Sequence, residues 1–493
     1  SSDGHLRVMR IHSREDHRAL ADSLAADEFR ADVVVDARPA DADPADAFGA
    51  LLLLADVLPE AKLVVVTRNA QEVTGGESVD PRAAAILGAC ASLPREYPKL
   101  ACRAIDVADA GAAALVAADV RSGSDARVSA YRGRHRWTRA FHPLRASSSS
   151  SIREGGAYLL MGEALGRNGR LAEALAATPG VGIALAALSI PDKLVRNLEA
   201  AGATVLAMEV DPTDGAALKD AVARTEARFG RLDGVMYSPE LGEAGALALV
   251  SDARPAEWGA QVAAVADSLA ALEAALEGRA LDFCLVESSL AGVLGVVGRV
   301  RHAAANALTD AYAARSGRMT SVAWDRWMAA DEPEGDTGGL KDTEISAALE
   351  RILALAAQPL VLVSTVELEH RVKTSAAPKP QAASTQTLYA RPEAAGSYAA
   401  PTNEVEEQLA ELWQELLGIE RVGIDDDFFG LGGHSLLATQ IVSRVRSMFR
   451  IDLRLAAIFE APTVARMAAL IEDAIIAELE ALSDEEAAEL VGR

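Results

Sequence analysis

The sequence predicts an α/β protein followed by an all-helical unit. Three observations lead there: β-like apolar runs alternate with helix-length segments over residues 1–146 and again over 152–373, a Pro/Ser/Thr/Ala-rich stretch covers 374–403, and residues 404–478 show helical periodicity alone. At 493 residues the chain exceeds what one hydrophobic core supports. About three units are expected at that length.

In the first segment the runs Arg7–Ile11, Val33–Val35, Leu51–Ala55, Leu63–Thr67 and Ala104–Val107 read as strands. A strand-like stretch over 126–144 follows, and the serines Ser147–Ser151 read as a short junction. The second segment carries runs at Ala157–Met161, Gly182–Leu188, Thr204–Met208, Gly234–Tyr237, Asp282–Val286, Thr320–Trp324 and Val361–Ser364. Helix-length segments separate most of them, as a doubly wound parallel sheet requires. Residues 374–403 hold almost no large apolar side chains and are expected to form a flexible linker. Beyond it, Val405, Leu409, Trp413 and Leu416 share one helical face, Leu437, Ile441, Val445 and Met448 a second, and Val464, Met467, Ile471 and Ile475 a third. Residues 479–493 read as a helical extension.

Half of the residues are hydrophobic but only 4% are aromatic, so alanine, leucine and valine must build most of the core. With 48 basic and 72 acidic residues the net charge is -24, which argues against a nucleic-acid partner and against anionic membranes. No apolar run reaches the roughly 18 residues that span a bilayer. Cys90, Cys102 and Cys284 are odd in number and widely spaced, so neither a disulfide framework nor a zinc site is expected, and a reducing cytoplasm is the expected setting. The chain opens on Ser1-Ser2 without a signal peptide, which reads as a fragment of a longer polypeptide.

The strongest motif is Asp425-Asp426-Asp427-Phe428-Phe429-Gly430-Leu431-Gly432-Gly433-His434-Ser435-Leu436. Ser435 alone, after glycines and before a helix, reads as an N-cap. The whole string, with Phe459-Glu460-Ala461-Pro462-Thr463 further on, resembles the attachment site of thiolation and acyl-carrier domains over about residues 402–478. That resemblance implies a four-helix carrier bundle with 4′-phosphopantetheine on Ser435, inside a motif of Gly432, Gly433, His434 and Leu436. A helix N-terminus favours a phosphodiester through its unpaired N–H groups and dipole. Gly432 and Gly433 leave room for a modifying enzyme to approach the backbone, and Phe428, Phe429 and Leu431 are expected to anchor the loop. Residues 401–480 hold 15 acidic and 6 basic side chains, a net −9, which suits either docking onto basic patches or simple solubility. His434 resembles the peptide carriers of nonribosomal synthetases and implies a hybrid polyketide–peptide assembly line.

In the first half stand Val66-Thr67-Arg68-Asn69-Ala70 and Val79-Asp80-Pro81; in the second, Ser288-Ser289-Leu290-Ala291-Gly292, His302-Ala303-Ala304-Ala305-Asn306-Ala307 and Val322-Ala323-Trp324-Asp325-Arg326-Trp327. On these, residues 152–373 resemble the catalytic half of a polyketide-synthase ketoreductase, of the short-chain dehydrogenase type, and residues 1–146 its structural half, both Rossmann-like. An active member uses a serine, a tyrosine and a lysine. Ser289 matches the serine and Asn306 a further asparagine, but the tyrosine position holds His302 and the lysine position Val265. In the cofactor loop Gly162 and Gly166 remain, Asn168 stands at the third glycine, and Glu163 puts a carboxylate where a pyrophosphate would sit. The basic residue that selects the NADP 2′-phosphate aligns with Ile190, and an Ala-Ala-Gly loop reads Ser238-Pro239-Glu240. The resemblance with these departures implies a non-catalytic scaffold that does not take NADPH, beside a carrier that tethers acyl intermediates as thioesters. The alternative is an active NADPH-dependent reductase of the carrier-bound chain, with His302 as acid. Implied partners are a phosphopantetheinyl transferase with CoA, and the ketosynthase, acyltransferase and downstream domains of the same assembly line.

Overall fold

The computed structural model describes residues 33–37, 43–97, 99–145, 152–163, 167–239, 247–328, 339–355, 358–376, 391, 398–433, 435–449, 451, 453 and 457–481. Arg7–Ile11, Ser147–Ser151 and residues 482–493 lie outside them. Two sheets form one compact unit, and the residues from 404 on belong to another.

The first sheet is built from β1 (Val34–Ala37), α1 (Pro44–Val57), β2 (Lys62–Arg68), α2 (Pro81–Glu96), β3 (Ala101–Val107), α3 (Ala113–Ser122), β4 (Val128–Arg132) and β5 (His135–Thr138). Its order is β1-β2-β3-β4-β5, parallel up to the closing β4–β5 hairpin. Leu51–Ala55, expected as a strand, lies inside α1 instead. Asp43 caps that helix by accepting the Ala45 N–H at 2.7 Å, and Pro44 opens it. Leu51, Leu52, Leu54 and Ala55 are all buried. A helix buried on most sides shows a continuous apolar run, which periodicity cannot tell from a buried strand. The Val66–Ala70 motif has a structural cause: buried Asp106 accepts the Thr67 hydroxyl at 2.8 Å and the Ala70 N–H at 2.9 Å, and pairs with Arg132 at 2.7 Å.

The second sheet uses β6 (Ala157–Met161), α4 (Arg167–Ala176), β7 (Gly182–Ala187), α5 (Asp192–Ala200), β8 (Thr204–Glu209), α6 (Gly215–Phe229), β9 (Gly234–Tyr237), α7 (Pro255–Ala275), β10 (Phe283–Ser289), α8 (Ala291–Leu294), α9 (Val300–Ser316), β11 (Thr320–Trp324), α10 (Asp342–Leu353) and β12 (Leu360–Leu362), with α11 (Leu368–Ala376) after it. All its pairings are parallel, in the order β12-β11-β10-β9-β6-β7-β8. The chain builds outward from β6 to β8, returns to β9 beside β6, and builds outward again to β12. The switch point therefore lies between β6 and β9, and parallel sheets of this kind leave a crevice at the carboxyl ends of the switch-point strands. The two sheets join through helices, α2 against α9 and α1 against α7. Small side chains make that close approach possible: Ala303, Ala304 and Ala305 are fully buried, and the Ala303 carbonyl occupies the place a Gly88 side chain would need.

The helical unit contains α12 (Glu404–Leu417), α13 (Ser435–Phe449), the one-turn α14 (Ala457–Glu460) and α15 (Val464–Ala481). Leu409, Trp413, Ile441, Val445, Val464, Met467 and Ile471 form its core. Met448, expected on the second apolar face, is 44% exposed, because Phe449 takes the packing position at the end of α13. The expected linker 374–403 differs at both ends. Helix α11 runs on to Ala376. At the other end the Ile424 N–H donates to the Ala399 carbonyl at 3.0 Å, and the Arg421 guanidinium stacks on Tyr398 at 3.9 Å from its centroid. Residues 377–390 and 392–397 lie outside the described set.

Candidate functional site

In the helical unit, the loop Asp425–Gly433 leads into α13. The Phe428 N–H donates to the Pro462 carbonyl at 2.7 Å, and its ring lies fully buried against Trp413, 5.2 Å between centroids. The Gly433 N–H returns to the Phe428 carbonyl at 2.9 Å, folding the loop on itself. Both glycines have internal reasons: Gly432 sits at φ 95°, and a Cβ on Gly433 would lie 2.5 Å from the Phe428 carbonyl oxygen and 2.6 Å from its ring. Asp426, buried, accepts the Gly423 N–H at 2.8 Å and is clasped by Arg391 through Nε, at 2.8 Å, and Nη2. Ser435 is the first residue of α13. His434, and the side chains of Ser435 and Leu436, lie outside the described residues.

At the carboxyl end of the second sheet, Ser289 closes β10, half-buried, and its Oγ accepts the Ala291 N–H at 3.2 Å. Asn306 is buried in α9 and donates from Nδ2 to the His302 carbonyl one turn back at 2.6 Å, so its amide is engaged within its own helix. Burial, aided by Arg299 and Arg167, pushes the His302 imidazole down to about 3, and its Nδ1 has no hydrogen-bond partner. That shift favours the neutral imidazole near pH 7. Val265 is buried in α7 and presents no charge. Gly162 follows β6 at φ 112°, with the Ser238 carbonyl where its Cβ would stand, because the β6–β9 pairing continues past the strands through the Ser238 N–H to the Met161 carbonyl at 2.9 Å. Asn168 is buried at the start of α4 and donates from Nδ2 to the Met161 carbonyl at 2.9 Å. Glu163 is exposed and Ile190 buried; Gly166 and Glu240 lie outside the described residues.

Sequence reasoning missed two residues of this crevice. Glu287 lies in β10, 5% exposed, with neither carboxylate oxygen hydrogen-bonded. Burial pushes it up to about 7, while the Arg167 charge pulls the other way. Arg167 opens α4, and its Nη1 donates to the Ser288 carbonyl at 3.0 Å while the guanidinium lies 5.7 Å over the Trp327 ring. An acidic residue inside an apolar run of a central strand was the available signal for Glu287. Among the described residues no cluster of three or more His, Cys, Asp or Glu side chains could hold a metal ion, and no helix is long and apolar enough to cross a membrane.

Residues 156–329 match the family model of the KR domain, and residues 407–471 that of the phosphopantetheine attachment site. A ketoreductase-type domain precedes a phosphopantetheine carrier domain in this chain. Together they fit a piece of a polyketide or nonribosomal-peptide synthase module. The carrier domain is 56% identical over 72 residues to tyrocidine synthase 3 of Brevibacillus parabrevis, a match covering 15% of this chain and 1% of that protein. The chain thus spans a very small part of the curated relative it matches. The KR portion is similar to a structure of A-type ketoreductases from a modular polyketide synthase (25% identity, TM-score 0.62, covering 75% of this chain and 85% of that one). It is also similar to a C2-type ketoreductase from a modular polyketide synthase (22%, TM-score 0.62, 75% and 87%). The second likeness is one of fold alone.

The KR fold implies a nicotinamide dinucleotide, and the carrier domain implies covalent 4′-phosphopantetheine. The second group fits: the long helix α13 offers its N-terminal N–H groups behind a loop pinned by Phe428. For the first the chemistry of the residues is a poor match: Asn168, buried in the first turn of α4, stands at the third glycine position of the resemblance, and the exposed Glu163 carries the same sign of charge as a dinucleotide.

Proposed function

We propose that the carrier domain holds an acyl or peptidyl chain on Ser435, beside a KR domain that leaves that chain unreduced. The arm, when attached, supplies a thiol for a thioester; the protein supplies its anchorage. The single observation that carries the attachment is the place of Ser435, opening a 15-residue helix immediately after the Phe428-pinned loop. A phosphodiester there meets the positive end of the helix.

For the KR domain, the reading rests on what stands at the acid and its activator. Proton donation in the active family needs a phenol whose pKa, about 10 when free, is lowered by a neighbouring ammonium. Here a neutral His302 and a buried Val265 stand in those places. The retained Ser289 favours the second reading, an active NADPH-dependent reductase. Asn306, the other retained residue, is already bonded to the His302 carbonyl.

The proposed domain limits are 1–146 and 152–373 for the two KR halves, with the carrier over 404–478 and its edge drawn back to Tyr398. A phosphopantetheinyl transferase with CoA is the modifying partner. A ketosynthase, an acyltransferase and downstream domains supply and take the chain, in a reducing cytoplasm that suits three buried thiols.

Incubation of the chain with CoA and a phosphopantetheinyl transferase, followed by intact mass, tests the attachment. The mass of one arm is expected on the unmodified chain and none on Ser435→Ala, whose stability falls by about 1 kcal/mol. An alanine variant that still gained the arm would place it elsewhere.

A further inference from the structure

The crevice between β6 and β9 is crossed by the protein's own side chain. Arg167 starts on the α4 side, just after β6, yet its Nη1 reaches the Ser288 carbonyl of β10 at 3.0 Å. In the strand order β10-β9-β6, that path runs over the carboxyl end of β9, across the switch point. Two contacts hold the span in place: the Ser288 carbonyl takes one N–H, and the Trp327 ring lies under the guanidinium at 5.7 Å. Arg170 reinforces the ring from the next turn, 5.9 Å from its centroid.

We infer that Arg167 is an internal strap over the dinucleotide crevice, bonded to the Ser288 carbonyl with Trp327 as its rest, and that this strap excludes a dinucleotide independently of the altered glycine loop. The inference rests on the reading of the KR domain as non-catalytic and adds the device that keeps it so. A guanidinium on the rim would attract a pyrophosphate; this one is turned across the strand ends and bonded to backbone. The buried Glu287 is replaced together with Arg167 in the test, so that its carboxyl does not lose the positive charge that acts on it.

The test compares NADPH fluorescence titrations of three full-length proteins: unmodified, Glu163→Gly/Asn168→Gly, and the same with Arg167→Leu/Glu287→Leu. Circular dichroism melts establish that each is folded. Saturable binding is expected to appear only in the third. Binding by the loop-rebuilt protein without the strap changes would overturn the strap and leave the non-catalytic reading standing. Binding with turnover by the unmodified chain would overturn that reading itself. A folded third protein that does not bind would also overturn the strap. Should the third protein not fold, Arg167→Leu alone decides by hydrogen exchange. Peptides covering Ser288–Ala291 and Asp325–Met328 are expected to exchange faster than in the unmodified chain, and unchanged exchange there would refute the strap.

Discussion

Glu287 ties the stability of the KR domain to pH. Its folded pKa, about 7, lies above the usual carboxylate value of 4.5, so the folded state binds its proton more tightly than the unfolded chain does. The resulting stability is fully present below pH 4.5 and is lost as pH rises to 7. Asp310, buried and raised to about 6, acts with the same sign. His302, lowered to about 3, acts with the opposite sign: its contribution is present above pH 6.5 and lost as pH falls toward 3. Glu287→Gln removes one ionisable group and keeps the shape. Relative to the unmodified chain, the variant is expected to gain on the order of 3 kcal/mol above pH 7 and almost nothing at pH 4.5. Urea denaturation of the two proteins at those pH values measures the difference. An equal offset at both would mean that Glu287 stays ionised in the fold.

At the scale of elements, the carrier reaches further upstream than its helices. Arg391 clasps the buried Asp426 through two nitrogens, and Asp426 also fixes Gly423 at the start of the motif loop. Composition made 374–403 read as linker because so few apolar residues lie in it, and an ion pair between Arg391 and a residue 35 positions on leaves no periodic trace. Arg391→Ala in the full chain leaves the buried Asp426 carboxylate without its cation and is expected to destabilise the carrier. Hydrogen exchange of peptides from α12, α13 and α15 reports that loss, and peptides from the second sheet serve as the internal reference. Equal protection with and without Arg391 would reduce the clasp to a surface contact. Strands β2, β3, β6, β7, β8, β9 and β11 were legible because each combines a short apolar run with turn residues at both ends. Helix α1 was not, since Leu51–Leu54 lies in the core on most sides.

At the scale of the molecule, the alternation of runs and helical segments was enough to read two α/β halves and a helical carrier. The order of strands was not, because nothing in a parallel run says which neighbour it pairs with. The switch point, and with it the crossing of Arg167 and the near contact of Gly162 with Ser238, became visible only in three dimensions. The departures at His302, Val265 and Asn168 were legible against a resemblance; the burial of His302 near Arg299 and Arg167 became visible only in three dimensions. The central claim is that one chain both carries an acyl group and leaves it unreduced. It is tested most directly by loading the chain with a β-ketoacyl arm from the corresponding CoA thioester, adding NADPH, and reading the intact mass over time. The account expects the loaded mass to persist unchanged; growth of a product heavier by one hydride and one proton would contradict it.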